Sequence, residues 1–175
     1  KLEGNQLTGF EELFAAQPLS ESGVHFGSRI VFDGNGHIFF SSGERGTKEN
    51  AQTLSNHLGK VLRLHEDGRV PDDNPFVNTE GARPEIWSYG HRNPQGLALH
   101  PFTGELWAHE HGPRGGDEVN RIIAGANYGW PVLSFGFEYE GGPIGAGVPH
   151  REGMEPPAHV YVPSIAPSGL AIYRG

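Results

Sequence analysis

Apolar and polar positions alternate in short runs along most of this chain, and the runs come in pairs. Arg29-Ile30-Val31-Phe32 is rich in β-branched and aromatic residues and predicts a strand. Asp33-Gly34-Asn35-Gly36 follows as a hairpin turn, and His37-Ile38-Phe39-Phe40 predicts the return strand. That strand runs out into Ser41-Ser42-Gly43-Glu44-Arg45-Gly46. Lys60-Val61-Leu62-Arg63-Leu64 alternates as a half-buried strand should and ends at the turn His65-Glu66-Asp67-Gly68. Glu85-Ile86-Trp87-Ser88-Tyr89 predicts another strand. Thr47 to Asn56 is polar and reads as a short helix or an inserted loop, while Pro71-Asp72-Asp73-Asn74-Pro75 reads as loop. Residues 1 to 23 are weakly patterned and are expected to connect, with Phe10-Glu11-Glu12-Leu13-Phe14 a turn of helix or a strand.

The pairing recurs. Gly96-Leu97-Ala98-Leu99, the turn around Pro101-Phe102-Thr103-Gly104, and Glu105-Leu106-Trp107-Ala108 repeat the architecture of residues 28 to 42. Ser168-Gly169-Leu170-Ala171-Ile172-Tyr173 resembles the start of a third copy, the offsets being about 67 and 73 residues. Strand–turn–strand units separated by variable loops predict an all-β fold, a β-propeller, with a β-sandwich as the alternative on pattern alone. A propeller has four to eight blades of four strands. At about 70 residues per unit, residues 1 to 175 supply two to three units. The expectation is therefore a single partial propeller domain, incomplete at both ends, or a ring that several chains complete. The last copy stops after one strand, which favours a piece of a larger ring.

Composition narrows the class. Its 27 glycines and 14 prolines, without a collagen-like period, suit short strands and turns. A formal charge of −8 argues against a nucleic-acid partner, which needs a basic surface. Cysteine is absent, which excludes disulfides and thiolate metal sites. No apolar run reaches the length of a membrane span. The start Lys1-Leu2-Glu3-Gly4 has no signal-peptide pattern and no initiator Met, as expected of a processed or excised piece.

Candidate chemistry gathers in polar, glycine-punctuated loops. His25, in Gly23-Val24-His25-Phe26-Gly27, reads first as a polar loop residue. Glu44 stands at the same end of the same hairpin, where a carboxylate can orient an imidazole for general-base work. Arg92 and Asn93 precede Pro94. The pair suits a ligand bearing carboxylates and carbonyls, and it also suits a plain Asn–Pro turn. Glu110-His111-Gly112-Pro113 closes the matching end of the second repeat, where Glu44 lies in the first. Backbone carbonyls there, with Asp117 and Glu118, form an all-oxygen set suited to Ca²⁺, though solvated acidic turns look the same. Asn127-Tyr128-Gly129-Trp130-Pro131 reads as a packed corner, and Gly141 to Pro157 as a surface insertion.

Together these motifs closely resemble the soluble pyrroloquinoline-quinone (PQQ) dependent glucose/sorbosone dehydrogenase family, and within it the aldose sugar dehydrogenase branch. The residues that carry the resemblance are Gly90-His91-Arg92-Asn93-Pro94-Gln95-Gly96-Leu97-Ala98, Glu110-His111-Gly112-Pro113 and Asn127-Tyr128-Gly129-Trp130-Pro131. It extends through His25-Phe26-Gly27-Ser28-Arg29, Gly59 to Leu64 and Pro71 to Phe76, so it covers nearly everything from about residue 23 onward.

The resemblance implies a six-bladed propeller, of which this chain covers about half, with PQQ over the central channel and Ca²⁺ bound to it. It implies His25 as the base that takes the proton of an aldose's anomeric hydroxyl while hydride passes to PQQ and the lactone forms. Glu44 falls where glucose dehydrogenases carry an orienting aspartate. Arg92 and Asn93 match cofactor-binding positions, His111 replaces a glutamine beside them, and Tyr139 is a further cofactor contact. Gly112 and Pro113 match carbonyl ligands of the cofactor's Ca²⁺; Glu118 and Tyr128 match ligands of a structural Ca²⁺. The family's remaining basic PQQ-binding residues lie in later blades, beyond Gly175, and its first blade is also missing. Without the rest of the ring, residues 1 to 175 alone are expected to be inactive. The implied setting is periplasmic or secreted, with an aldose substrate, an external electron acceptor and no nucleic acid. The rival readings are a non-catalytic propeller that binds a protein or glycan in its funnel, and a Ca²⁺-dependent lactone hydrolase.

Overall fold

The computed structural model describes residues 2–174. Strands β1 (Leu2–Glu3) and β2 (Gln6–Leu7) form a small exposed hairpin. Strands β3 (Gly27–Phe32), β4 (His37–Ser42), β5 (Lys60–His65) and β6 (Ile86–Tyr89) form one antiparallel sheet in chain order. Strands β7 (Pro94–Leu99), β8 (Leu106–Glu110), β9 (Asp117–Ile122) and β10 (His159–Tyr161) form a second sheet in the same order. Each is a four-stranded meander, the form of a propeller blade, without the long return connection of a Greek-key sandwich.

The β3–β4 turn forms because Asp33 caps it: its Oδ1 accepts the N–H groups of Asn35 at 2.7 Å and His37 at 3.0 Å. The leading edges of the two blades are tied together. Ser41 Oγ donates to the Pro94 carbonyl at 3.0 Å, and the Gly27 N–H donates to Asn93 Oδ1 at 3.2 Å. Behind this seam lies the core. Phe39 and Val61 from the first blade meet Leu97, Leu106, Ala108 and Ile122 from the second, with Tyr128 beside them. Strand alternation places these residues on one face, since Leu97 pairs with Ala108 and Leu106 with Ile122.

Several expectations are corrected. Phe10 to Phe14 is neither helix nor strand; it is irregular chain whose Phe14 ring meets Phe40 at 5.1 Å and His57 at 5.0 Å. Residues 168 to 173 form no strand, because a strand exists by pairing and no described strand lies along them. β9 escapes a hydropathy reading because two of its three buried positions, Asp117 and Asn120, are polar, with Ile122 the third; β10 is only three residues long. Among the described residues, no helix is long and apolar enough to cross a membrane.

The polar stretch after Gly46 contains a 3₁₀ helix, Lys48–Gln52, and its anchor is Lys60. This side chain is fully buried, and its Nζ donates to the carbonyls of Leu58 at 2.6 Å, Asn50 at 2.8 Å and Ala51 at 3.2 Å. The Asn50 and Ala51 carbonyls also accept the Thr53 and Gly90 N–H groups, and the Lys60 amino group supplies a further donor to each and to Leu58. Burial draws the Lys60 pKa down from 10.5 to about 7. Between those values the unfolded chain binds the proton and the folded one releases it, so this residue's contribution to stability rises with pH over that window. Lys60→Met is expected to lower stability by about 1–3 kcal/mol, because three carbonyls each lose a donor. The wild-type advantage should grow from pH 7 to pH 10. Urea unfolding across that range measures both, and a pH-independent difference would count against the lowered Lys60 pKa.

Candidate functional site

The site grows from the ends of β4 and β8 and from the loops that enter β3 and β7. His25 stands just before β3 in the left-handed region, φ 54°. It lies so close to the end of β4 that a Cβ built on Gly43 would sit 2.0 Å from the His25 carbonyl oxygen. Glycine at 43 is therefore a steric requirement. His25 Nδ1 is 2.5 Å from Glu44 Oε1, with 18% of the imidazole exposed and 1% of the carboxylate. Because an ionised carboxylate only accepts, Nδ1 carries the proton and Nε2 keeps its lone pair. Arg45 braces this loop: its guanidinium lies 3.8 Å over the Phe26 ring and donates to the Ser22 carbonyl.

The two rims meet through the backbone. The Glu44 N–H donates to the Arg92 carbonyl at 3.0 Å. Arg92 is buried and its Nη1 donates to the carbonyls of His111 and Gly112, each at 3.0 Å, with the guanidinium 5.4 Å over the Trp130 ring. Its Nε is buried without a partner. Asn93 Oδ1 is taken by the Gly27 N–H and by Gln95 Nε2 at 3.1 Å, which leaves its Nδ2 group for another ligand. His111 Nε2 meets the Pro167 carbonyl at 2.6 Å.

Asp117 and Glu118 divide the acidic loop. Asp117 Oδ1 accepts the Gly112 N–H at 2.9 Å, and Oδ2 accepts those of Ile165 at 2.8 Å and Ala166 at 2.7 Å. Burial opposes its ionisation, yet these donors hold its pKa below the usual carboxylate range. Asp117 is thus spent on loop closure, contrary to the all-oxygen set that includes it. Glu118 is different. Burial first, and the neighbouring Glu110 carboxylate second, push it up to about 8. It lines a water-sized cavity of about 10 Å³ with Glu110, Gly112, Pro113, Gly116 and Tyr128. A raised carboxylate beside a second carboxylate suits one hard cation, which would share the cavity with the Arg92 side chain. Among the described residues no three His, Asp or Glu side chains come together as a metal cluster, so a cation here would rely on carbonyls as well. Tyr128 lines the cavity and forms the packed corner with Trp130; its hydroxyl accepts the Ile123 N–H at 2.9 Å. Tyr139 is not gathered in with these groups: it stands 70% exposed on the loop between β9 and β10, next to Glu138, which pairs with Lys48.

Two residues absent from the sequence-based candidates are central. His91 is fully buried, with Nδ1 2.8 Å from Glu110 Oε1 and Nε2 2.8 Å from Ser88 Oγ, and its ring stacks on Tyr128 at 4.6 Å. Glu110 Oε2 accepts the Arg92 N–H at 2.7 Å. The pair stands 66 positions after His25 and Glu44 and keeps the same separation of 19 residues. That repeated His-x₁₈-Glu spacing was the signal that could have revealed it.

Two meander blades with a polar rim at one end define a sector of a β-propeller. The chain matches the Glucose / Sorbosone dehydrogenase family over residues 1–175 and belongs to that family. It is 46% identical over 175 residues to the aldose sugar dehydrogenase YliI of Escherichia coli (strain K12), covering 97% of this chain and 46% of that protein. The soluble aldose sugar dehydrogenase of Escherichia coli in its apo-form superposes with a TM-score of 0.91 at 46% identity, over 93% of this chain and 47% of that one. The PQQ-bound aldose sugar dehydrogenase of Streptomyces coelicolor gives 0.68 at 33% identity, over 87% and 40%. The chain thus spans about half the length of the curated relatives it matches. The fold is all-β, a β-propeller of which this chain forms about half.

Gly43→Ala is expected to part His25 from Glu44 and to lower stability by about 1–3 kcal/mol through overpacking. The downfield N–H proton signal of a hydrogen-bonded imidazole should disappear in NMR spectra. Its persistence would contradict the close approach described above.

Proposed function

We propose that the full-length protein is a PQQ- and Ca²⁺-dependent aldose dehydrogenase that oxidises the anomeric carbon to the lactone and passes electrons to an external acceptor. Family membership and the PQQ-bound relative support the cofactor. The observation that carries the reading is the partly exposed His25 imidazole held by a buried Glu44. PQQ, when bound, supplies the two-electron acceptor for the hydride from the anomeric carbon. His25 Nε2 takes the proton of the anomeric hydroxyl, and Glu44 fixes the tautomer and steadies the imidazolium that results. The Arg92 guanidinium, with Nη1 fixed on two carbonyls and Nη2 left as a donor, suits a carboxylate-bearing quinone. Asn93 Nδ2, His111 and Tyr139 are proposed as further cofactor contacts. The carbonyls of Gly112 and Pro113 would hold the cofactor's cation, and Glu118 with Tyr128 a structural one. Following the family resemblance, the protein is placed in the periplasm or outside the cell.

A non-catalytic propeller has no use for an accessible imidazole on a buried carboxylate. His25→Gln is expected to lower kcat at least a thousandfold while PQQ affinity stays within about threefold, as loss of a general base requires. Dye-coupled turnover and PQQ titration measure the two quantities, and wild-type rates would remove His25 from the chemistry. Arg92→Met should weaken PQQ binding at least tenfold, the worth of one charge-assisted pair; an unchanged titration would contradict that contact. Chelation of Ca²⁺ is expected to lower the melting temperature of the wild-type protein, and Glu118→Gln should reduce that response. Equal responses in scanning calorimetry would leave Glu118 outside the cation site.

A further inference from the structure

The His91–Glu110 pair invites a functional question, because its connectivity is that of the His25–Glu44 pair and its setting is opposite. His25 is open at Nε2. In the second blade that same nitrogen faces Ser88 Oγ, and Ser88 and His91 are both fully buried. Ser88, His91 and Glu110 therefore have the order of a hydrolytic triad without access to any substrate, and neither serine nor histidine can reach a ligand.

What Glu110 does reach is the residue next to His91. Its Oε2 accepts the Arg92 N–H, while Oε1 is held by His91 and by Asn120 Nδ2 at 3.2 Å. The two residues that follow Glu110 in the chain, His111 and Gly112, offer their carbonyls to the Arg92 head. One short stretch thus grips Arg92 at both ends, the backbone through a carboxylate and the guanidinium through two carbonyls. With Nη1 used twice and Nε buried, Nη2 is the donor left for a ligand. The Glu110 carboxylate has little freedom of its own, since both oxygens are fixed.

We propose that Glu110 is a positioning residue for the cofactor: the second blade keeps a closed copy of the His–Glu pair, and the copy aims Arg92 instead of a base. This inference rests on the reading that Arg92 faces PQQ. It assigns Glu110 no contact with cofactor or substrate, only control of where the guanidinium stands.

The test is PQQ titration of the full-length protein in Ca²⁺-containing buffer, with melting temperature measured in parallel. Glu110→Met removes the acceptor at constant length and is expected to weaken PQQ binding at least tenfold. Glu110→Gln keeps an oxygen for the Arg92 N–H and should restore affinity to within about threefold of wild type. In an Arg92→Met background, neither change should weaken binding further, because Glu110 acts through Arg92. His91→Phe keeps the ring on Tyr128 and removes one of the two donors that hold Glu110 Oε1. It is expected to weaken binding about threefold with the same non-additivity, and it carries the test if Glu110→Met does not fold. Unchanged affinity in these variants, or losses that add to that of Arg92→Met, would overturn the positioning role while leaving the PQQ reading intact. Failure of the unaltered protein to bind PQQ would overturn both.

Discussion

A carboxylate removed from water must be met by donors or give up its charge, and the upper rim of this protein is built around four of them. Glu44, Glu110, Asp117 and Glu118 all lie at the ends of strands or just beyond them, and all but Glu118 have dedicated donors. Glu44 takes an imidazole on Oε1, while its Oε2 is buried without a partner. Glu110 takes an imidazole, a backbone amide and the Asn120 amide. Asp117 takes three backbone amides and so closes its loop. Glu118 has only Asn120 Nδ2 at 3.2 Å, and its proton is correspondingly hard to remove. The differences among these four carboxylates decide which part of the rim is rigid and which part has unmet charge to offer.

The two blades answer the same demand with one plan. In each, a histidine before the first strand reaches a glutamate at the end of the second, 19 residues on. In the first blade the histidine sits in a left-handed turn, pressed against Gly43 with part of its ring in the open. In the second the ring slides beneath Tyr128 and is sealed. Burial changes the task available to the pair: an exposed imidazole can exchange a proton, whereas a sealed one can only hold its partner still.

The legibility of the sequence follows the same division. Hairpins were readable because Asp33-Gly34-Asn35-Gly36 and the apolar alternation around it act locally. The repeat gave the blade architecture, and the motifs around His25, Arg92 and Gly112 gave the rim. β9 was hidden because two of its three buried residues, Asp117 and Asn120, are polar and serve the rim, so hydropathy points the wrong way. Glu110 and His91 were hidden for a related reason. Their partners are 19 residues distant and a backbone N–H, which no composition rule records. Tyr139 illustrates the converse, a position taken from resemblance whose side chain stands out on a long loop.

Lys60 has a consequence of a different kind. Three carbonyls around one buried group are what a loop offers to a metal ion, but here that group is a donor covalently part of the chain. It cannot be chelated, diluted away or exchanged for a competing ion. Asn50, whose carbonyl Lys60 holds, also donates from its Nδ2 to the Glu44 carbonyl at 3.3 Å. The blade that carries His25 therefore carries its own bridging donor, and no chelator can remove the support beneath the candidate base.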